Sequence, residues 1–152
     1  MAFATRTNLT TYQPDIGDMG LSTSQQDTYV TQAIADVQRD IRNKWWSVYR
    51  ANQSRNRSYA GGIEIDLTLL TDSQWTRATV YRTLGFYICP ALTKFNTPGD
   101  EDRFQTMGSY YRTAYEAEFE DILRDGVEYD ANDDNSIADS EKAAVHSLRL
   151  VR

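Results

Sequence analysis

The chain has one cysteine, Cys89, and one histidine, His146, in 152 residues. A lone thiol closes no intrachain disulfide, which fits a reducing compartment and leaves packing to hold the fold. There is no Cys/His metal cluster, no G-x-S-x-G elbow and no phosphate loop. The longest apolar stretch is interrupted by Arg77, Arg82 and Lys94, so it is too short for a membrane span. Met1 to Arg6 lacks the charged segment and apolar core of a secretion signal. These gaps count against an enzyme. Cys89 sits in an apolar helical stretch, where a thiol is inert. Glu116, Glu118, Glu120 and Asp121 read as a solvated helix face, not a catalytic carboxylate pair, and Gly61-Gly62 says only loop.

Aromatic residues, by contrast, are plentiful: ten tyrosines and three tryptophans. They support an ordered domain with large contact surfaces, and the length suits one domain with its own core. Net charge is -6, unevenly spread. Residues 1–70 hold seven basic and seven acidic side chains; residues 71–152 hold nine and fifteen. Nonspecific nucleic-acid binding is therefore not the first reading.

The fold expected is mainly α, a small bundle around a long central helix, with a short β-strand or hairpin and extended N- and C-terminal arms. The central helix is read over Thr71 to Phe95. It opens on a capping-box pattern, Thr71 and Gln74. Its second half is apolar on nearly every side, so neighbours must cover several faces. Pro90 removes one backbone donor and predicts a kink between Phe86 and Pro90.

Before it, residues 1–21 lack helical periodicity and read as an extended arm with apolar anchors. Ser22 to Tyr49 carries a helix capped by Ser22, Thr23 or Ser24, with Val30, Ala33, Ile34, Val37, Ile41, Trp45 and Val48 on its buried face. Asp36, Arg39, Asp40 and Asn43 line the opposite face. Arg50 to Ser58 is basic and acid-free. Ile63 to Leu69 alternates apolar and polar, as a half-buried strand does, and its partner could come from another subunit. Asn96 to Asp100 is a turn. Phe104, Met107, Tyr111, Ala114, Tyr115, Phe119, Ile122 and Leu123 form a second helical stripe, and Gly126 suits its C-cap. The core domain thus spans 22–126, with its β element near 63–69. Residues 127–152 form an Asp/Asn-rich loop and a tail.

The loop holds the one motif with chemistry in it. Counting twelve positions from Asp130 puts Asp130, Asn132, Asp134, Ser136 and Glu141 at positions one, three, five, seven and twelve. This resembles the calcium loop of EF-hand proteins, because a hard cation wants several oxygens and a tight loop aims alternate side chains inward. Asn135 stands where that loop has glycine, and asparagine tolerates a left-handed backbone. Ala138 offers no side-chain oxygen at position nine, and residues 126–128 leave little room for an entering helix. Calcium is the only cofactor suggested. The competing reading is a turn whose Asp and Asn oxygens bond nearby backbone N–H groups. From Ser140 onward the chain reads as a short helix or a helix-to-strand tail, ending in the alternation Leu148-Arg149-Leu150-Val151-Arg152, which suits a partner groove.

Taken in order, the polar arm, the amphipathic helix and the Trp75-led helix ending Ile88-Cys89-Pro90-Ala91-Leu92 form a pattern. It continues with the Tyr-rich helix of Tyr110, Tyr111 and Tyr115, then Val127-Glu128-Tyr129-Asp130 and Arg149-Leu150-Val151-Arg152. This resembles the head-to-tail connector (adaptor or head-completion) proteins of tailed bacteriophages, over roughly 22–152. The resemblance implies a virion neck protein, made in the host cytoplasm and forming a homo-oligomeric ring of typically twelve copies beneath the portal. Such a ring extends the DNA channel, passes genomic DNA without sequence specificity and docks a tail-side neck or terminator protein, away from any membrane. By position, Leu148, Arg149, Leu150, Val151 and Arg152 would engage the portal. Arg50, Arg55 and Arg57 would face the channel or the tail-side partner. A calcium-binding, EF-hand-like interaction module is the alternative of a different class.

Overall fold

Ser22 starts the first long helix by a reciprocal cap. Its side-chain oxygen accepts from the Gln25 N–H at 3.3 Å, while Gln25 Oε1 accepts from the Ser22 N–H at 3.0 Å. The computed structural model describes residues 2–53, 64–93 and 102–143. Within them the chain is mainly α. Its helices are α1 (Arg6–Tyr12), α2 (Thr23–Asp40), α3 (Ser47–Gln53), α4 (Thr76–Thr83), α5 (Cys89–Leu92) and α6 (Arg103–Asp125). Two short strands, β1 (Val127–Glu128) and β2 (Lys142–Ala143), follow. No helix among the described residues is long and apolar enough to cross a membrane.

Helix α4 lies between α2 and α6. Trp75 and Ala78 face one core cluster with Trp45, Phe119 and Val127. Val80, Leu84, Ile88 and Cys89 face a second cluster with Leu9, Ile16, Val30 and Tyr111. The all-round apolar character of the central segment is thus used on both sides. Burial also raises the Cys89 thiol pKa to about 11.

Three expected elements take other forms. The N-terminal residues are not an extended arm: α1 and a 3-10 turn, Pro14–Met19, fold onto the domain and bury Phe3, Ala4, Leu9 and Ile16. Asn8 Oδ1 accepts the Thr5 N–H at 2.8 Å and starts α1, a local cap that apolar periodicity does not reveal. The strand expected at 63–69 is absent over its described part. Leu67–Leu69 is a 3-10 turn, because Asp66 Oδ1 accepts from the Thr68 N–H at 2.9 Å and bends the chain. The alternation still sorts burial, with Ile65 buried and Glu64, Asp66 and Thr68 exposed. Third, the Thr71–Gln74 capping box does not form. A 3-10 turn, Asp72–Trp75, begins the helix, and the Gln74 side chain is used elsewhere.

Two of the three long helical runs are not wound regularly. α2 runs into α3 through a π segment, Ile41–Trp46, and α4 runs into α5 through another, Leu84–Ile88. In the second, the Cys89 N–H donates to the Leu84 carbonyl, five residues back. The next donor in that frame belongs to Pro90, which has none. The carbonyl it would have served, that of Gly85, accepts instead from Arg112 Nε at 3.0 Å. The kink expected before Pro90 is therefore a π turn. Arg112 reaches it because α6 crosses at Gly85, where a Cβ would stand 2.9 Å from the Arg112 backbone nitrogen. In the first segment the wider turn shifts the buried face. Trp46 and Tyr49 are buried, whereas Val48, expected in the stripe, is 37% exposed. Helix α6 keeps its expected stripe, opens on Asp102 and closes on Gly126 at φ 106. Lys94, Phe95 and the turn at 96–100 lie outside the described residues, as does Ile63.

Candidate functional site

The Asp/Asn loop is anchored to the start of the central helix. Gln74 Nε2 donates to the Gly126 carbonyl at 2.9 Å, and Gln74 Oε1 accepts from the Glu128 N–H at 3.0 Å. One carboxamide thus pairs with β1 as a strand residue would. The Thr71 N–H donates to the Glu128 carbonyl at 3.3 Å, and the Asp130 N–H donates to the Leu69 carbonyl at 3.0 Å. On the other edge β1 pairs antiparallel with β2, Val127 opposite Ala143 and Glu128 opposite Lys142. The loop is therefore a hairpin loop. Among the described residues it leaves through one 3-10 turn, Asp139–Glu141, into β2.

Inside the loop four of the five candidate calcium ligands turn their side-chain oxygens onto backbone, and the fifth, Ser136, contributes its N–H. Asp130 Oδ1 accepts from the Asp134 N–H at 3.2 Å and Asp130 Oδ2 from the Asn135 N–H at 2.8 Å. Asn132 Oδ1 accepts from the Asp134 N–H at 3.1 Å, and Asp134 Oδ1 from the Ser136 N–H at 2.9 Å. Glu141 spans the base, taking the Ala131 N–H at 3.0 Å and the Ala138 N–H at 2.9 Å. Asn135 adopts φ 61, as its place in the motif predicts, and Asp133 adopts φ 57. Among the described residues no three Asp, Glu, Cys or His side chains converge on a point where a metal ion could be held. The oxygens stabilise the turn in this arrangement, and the donor set does not fit a calcium ion without re-aiming. A cleft of about 210 Å³ beside it is lined by Thr68, Leu70, Asp130, Asp133, Asn135 and Ile137.

The remaining expected site residues are partly described. Arg50 is exposed on α3. Arg55, Arg57, His146 and the tail Leu148, Arg149, Leu150, Val151 and Arg152 lie outside the described residues. Arg42 and Lys44 extend the basic surface; Lys44 Nζ stands 5.0 Å over the Phe119 ring. Arg42, Trp46, Glu64 and Ile65 line a second cleft of about 480 Å³. Tyr129, at the head of the Asp/Asn loop, packs within 6 Å of Trp45, Trp46 and Tyr49. The loop and the base of the basic segment therefore share one aromatic cluster.

A polar junction between α2, α4 and α6 was not foreseen. Asp36 Oδ2 accepts from Arg82 Nη2 at 3.0 Å and from the Tyr87 hydroxyl at 2.5 Å, while Asp36 Oδ1 pairs with Arg39 at 2.8 Å. Asp40 Oδ2 accepts from the Tyr115 hydroxyl at 2.5 Å and lies 3.9 Å from Arg82 Nη1. The Arg82 guanidinium stacks 3.9 Å from the Phe86 ring centre. Partial burial alone would raise the Asp36 pKa. The hydrogen bonds from Tyr87 and Arg82 and the charges of Arg82 and Arg39 outweigh it and hold the carboxyl below the usual aspartate range. Burial, then the bond to Asp40, pushes the Tyr115 phenol far up, so it remains a donor. The signal in the sequence was an arginine within an apolar helix, matched to carboxylates four residues apart on α2.

No family model matches this chain, and neither curated proteins nor solved structures give a match.

Proposed function

We propose that this chain is a ring-forming structural protein of a tailed-phage neck, joining the portal to the tail and extending the DNA channel. The observation that carries the reading is its division of charge. Residues 41–63 hold five basic side chains and no acidic one, while residues 116–141 hold eleven acidic and one basic. Stretches of opposite charge within one chain suit contact between copies, which closes into a ring when the rotation allows. Repeated around a ring, the basic segment would present a positive belt to passing DNA despite the negative net charge.

In this reading Leu148–Arg152 docks on the portal, and Arg50, Arg55 and Arg57 face the channel or the tail-side protein. Deleting Leu148–Arg152 should abolish assembly on portal rings while leaving the helical circular-dichroism spectrum intact. Unchanged assembly overturns the docking assignment. Replacing Arg50, Arg55 and Arg57 with glutamine should reduce DNA retention in filled heads; full retention removes them from the channel.

The left-handed Asn135 favours a second reading, a calcium-binding interaction module, in which Asp130 and Glu141 would release their backbone N–H groups to face the ion. Calorimetric titration of the monomer with calcium tests it, and the E141Q variant should lose the heat.

A further inference from the structure

We propose that Ile41–Trp46 is a two-position element. It switches between π winding, with Tyr49 inside and Val48 outside, and α winding, with Val48 inside and Tyr49 outside. The inference goes beyond the ring reading and does not depend on it.

The sequence carries a buried face for each winding. Under α winding the stripe Val37, Ile41, Trp45 and Val48 runs at three-four spacing and would seat Val48 in the core. Under the observed π winding, Ile41, Trp45 and Tyr49 follow at fours; Tyr49 is 7% exposed and Val48 37%. An apolar residue thus waits at the position the other winding would bury.

Two sets of contacts hold the π setting. Below the segment, Asp40, its last preceding residue, is tied to Tyr115 and Arg82, and Asp36 to Arg82 and Tyr87. Above it, Trp45 stacks on Tyr49 at 4.8 Å, Trp46 on Tyr49 at 5.4 Å, and Tyr129 closes against all three. The second π turn differs. Leu84–Ile88 is fixed by Pro90, whose ring would meet the Phe86 carbonyl in an α turn, and by Arg112 on the Gly85 carbonyl.

Rewinding Ile41–Trp46 turns α3 by roughly one residue, about 100°. Arg50 turns with it, and Tyr129 at the head of the acidic loop loses the Tyr49 ring. The basic and acidic parts of the chain are thereby coupled through one aromatic contact. A ligand or partner that engages the acidic loop and thereby shifts the buried Tyr129 would bias how α3 presents Arg50, by the difference in its affinity for the two settings.

The test is the hydrogen bonding of the Ile41 carbonyl, which faces the Trp46 amide in a π turn and the Trp45 amide in an α turn. Scalar couplings across hydrogen bonds, measured by NMR, report which amide it holds. The wild type should couple to Trp46. Tyr49→Ser, which removes the ring favouring π winding, should shift the coupling to Trp45 and protect the Val48 methyls from solvent. Val48→Ser should leave the π coupling unchanged and narrow any exchange broadening of residues 41–49. Retention of the Trp46 coupling in Tyr49→Ser, or disorder of the segment with neither coupling, overturns the proposal. If Tyr49→Ser does not fold, the softer Tyr129→Leu should raise the α-wound fraction, and no change there overturns it equally.

Discussion

Arg82 and Tyr87, five residues apart on one helix, hydrogen-bond the same oxygen of Asp36, at 3.0 and 2.5 Å. In a regular α-helix five residues span 500°, which puts the two side chains about 140° apart. The π turn between them brings both to one face. The winding and the polar contact therefore require each other, and Pro90 supplies the local reason for the winding.

Tyr87→Phe removes one of those donors and leaves the carboxylate oxygen with less than its due. Loss of a hydrogen bond to a charged group costs about 1.5–3 kcal/mol. Denaturant unfolding should show that drop, with the amides of 84–88 exchanging faster while those of α6 hold.

Acid should weaken the same junction. The Asp36 pKa is depressed in the folded state, so its contribution is present above the ordinary carboxylate range and lost as pH falls through the folded value. The melting temperature should fall below about pH 4. The gap between wild type and D36N should be wide at pH 7 and narrow in acid. A gap independent of pH would contradict this role for the carboxylate.

Gly85→Ala should be destabilising out of proportion to its size. The added Cβ meets the α6 backbone at 2.9 Å, which neither helix can concede cheaply. Overpacking of this kind costs about 1–3 kcal/mol. Gly17→Ala, with nothing within 4 Å of the added carbon, is the control and should melt like the wild type within error.

Gln74→Leu should free β1 while preserving side-chain bulk. It strands the Glu128 N–H and the Gly126 carbonyl, a cost of about 1–3 kcal/mol for each group left buried without a partner. Exchange at Glu128 and along the Asp/Asn loop should speed up before any change in α2.

How much of this was legible follows from which interactions are local. A cap for α2 among Ser22, Thr23 and Ser24, the α6 stripe from Tyr111 to Leu123 and the Gly126 C-cap were readable, because each is decided within a turn or two of helix. Asn135 was readable because a positive φ restricts residue choice at that position. The N-terminal helix was not, since it rests on Asn8 bonding the Thr5 N–H and on burial of Leu9 by distant residues. The strand read at 63–69 failed because Asp66 captured its own backbone through Thr68. Gln74 was assigned to a cap, yet its partners are 52 and 54 residues away. The buried side of α3 was misjudged by one residue, Val48 for Tyr49, because apolar periodicity assumes an α pitch that the π turn at 41–46 breaks. The Asp36–Arg82 junction is tertiary: Asp36 and Asp40 share a face of α2, but that they meet Arg82 is decided by how α2 and α4 pack.

The ring assembly stands at the centre of the account, and mass tests it most directly. Native mass spectrometry of this chain mixed with a portal protein should give a discrete complex carrying a ring's worth of copies. Because the contact between copies is read as one of opposite charges, that complex should loosen as salt rises. A chain that stays monomeric beside the portal at every salt concentration, and gains one calcium ion, would contradict the ring and leave the calcium-binding module in its place.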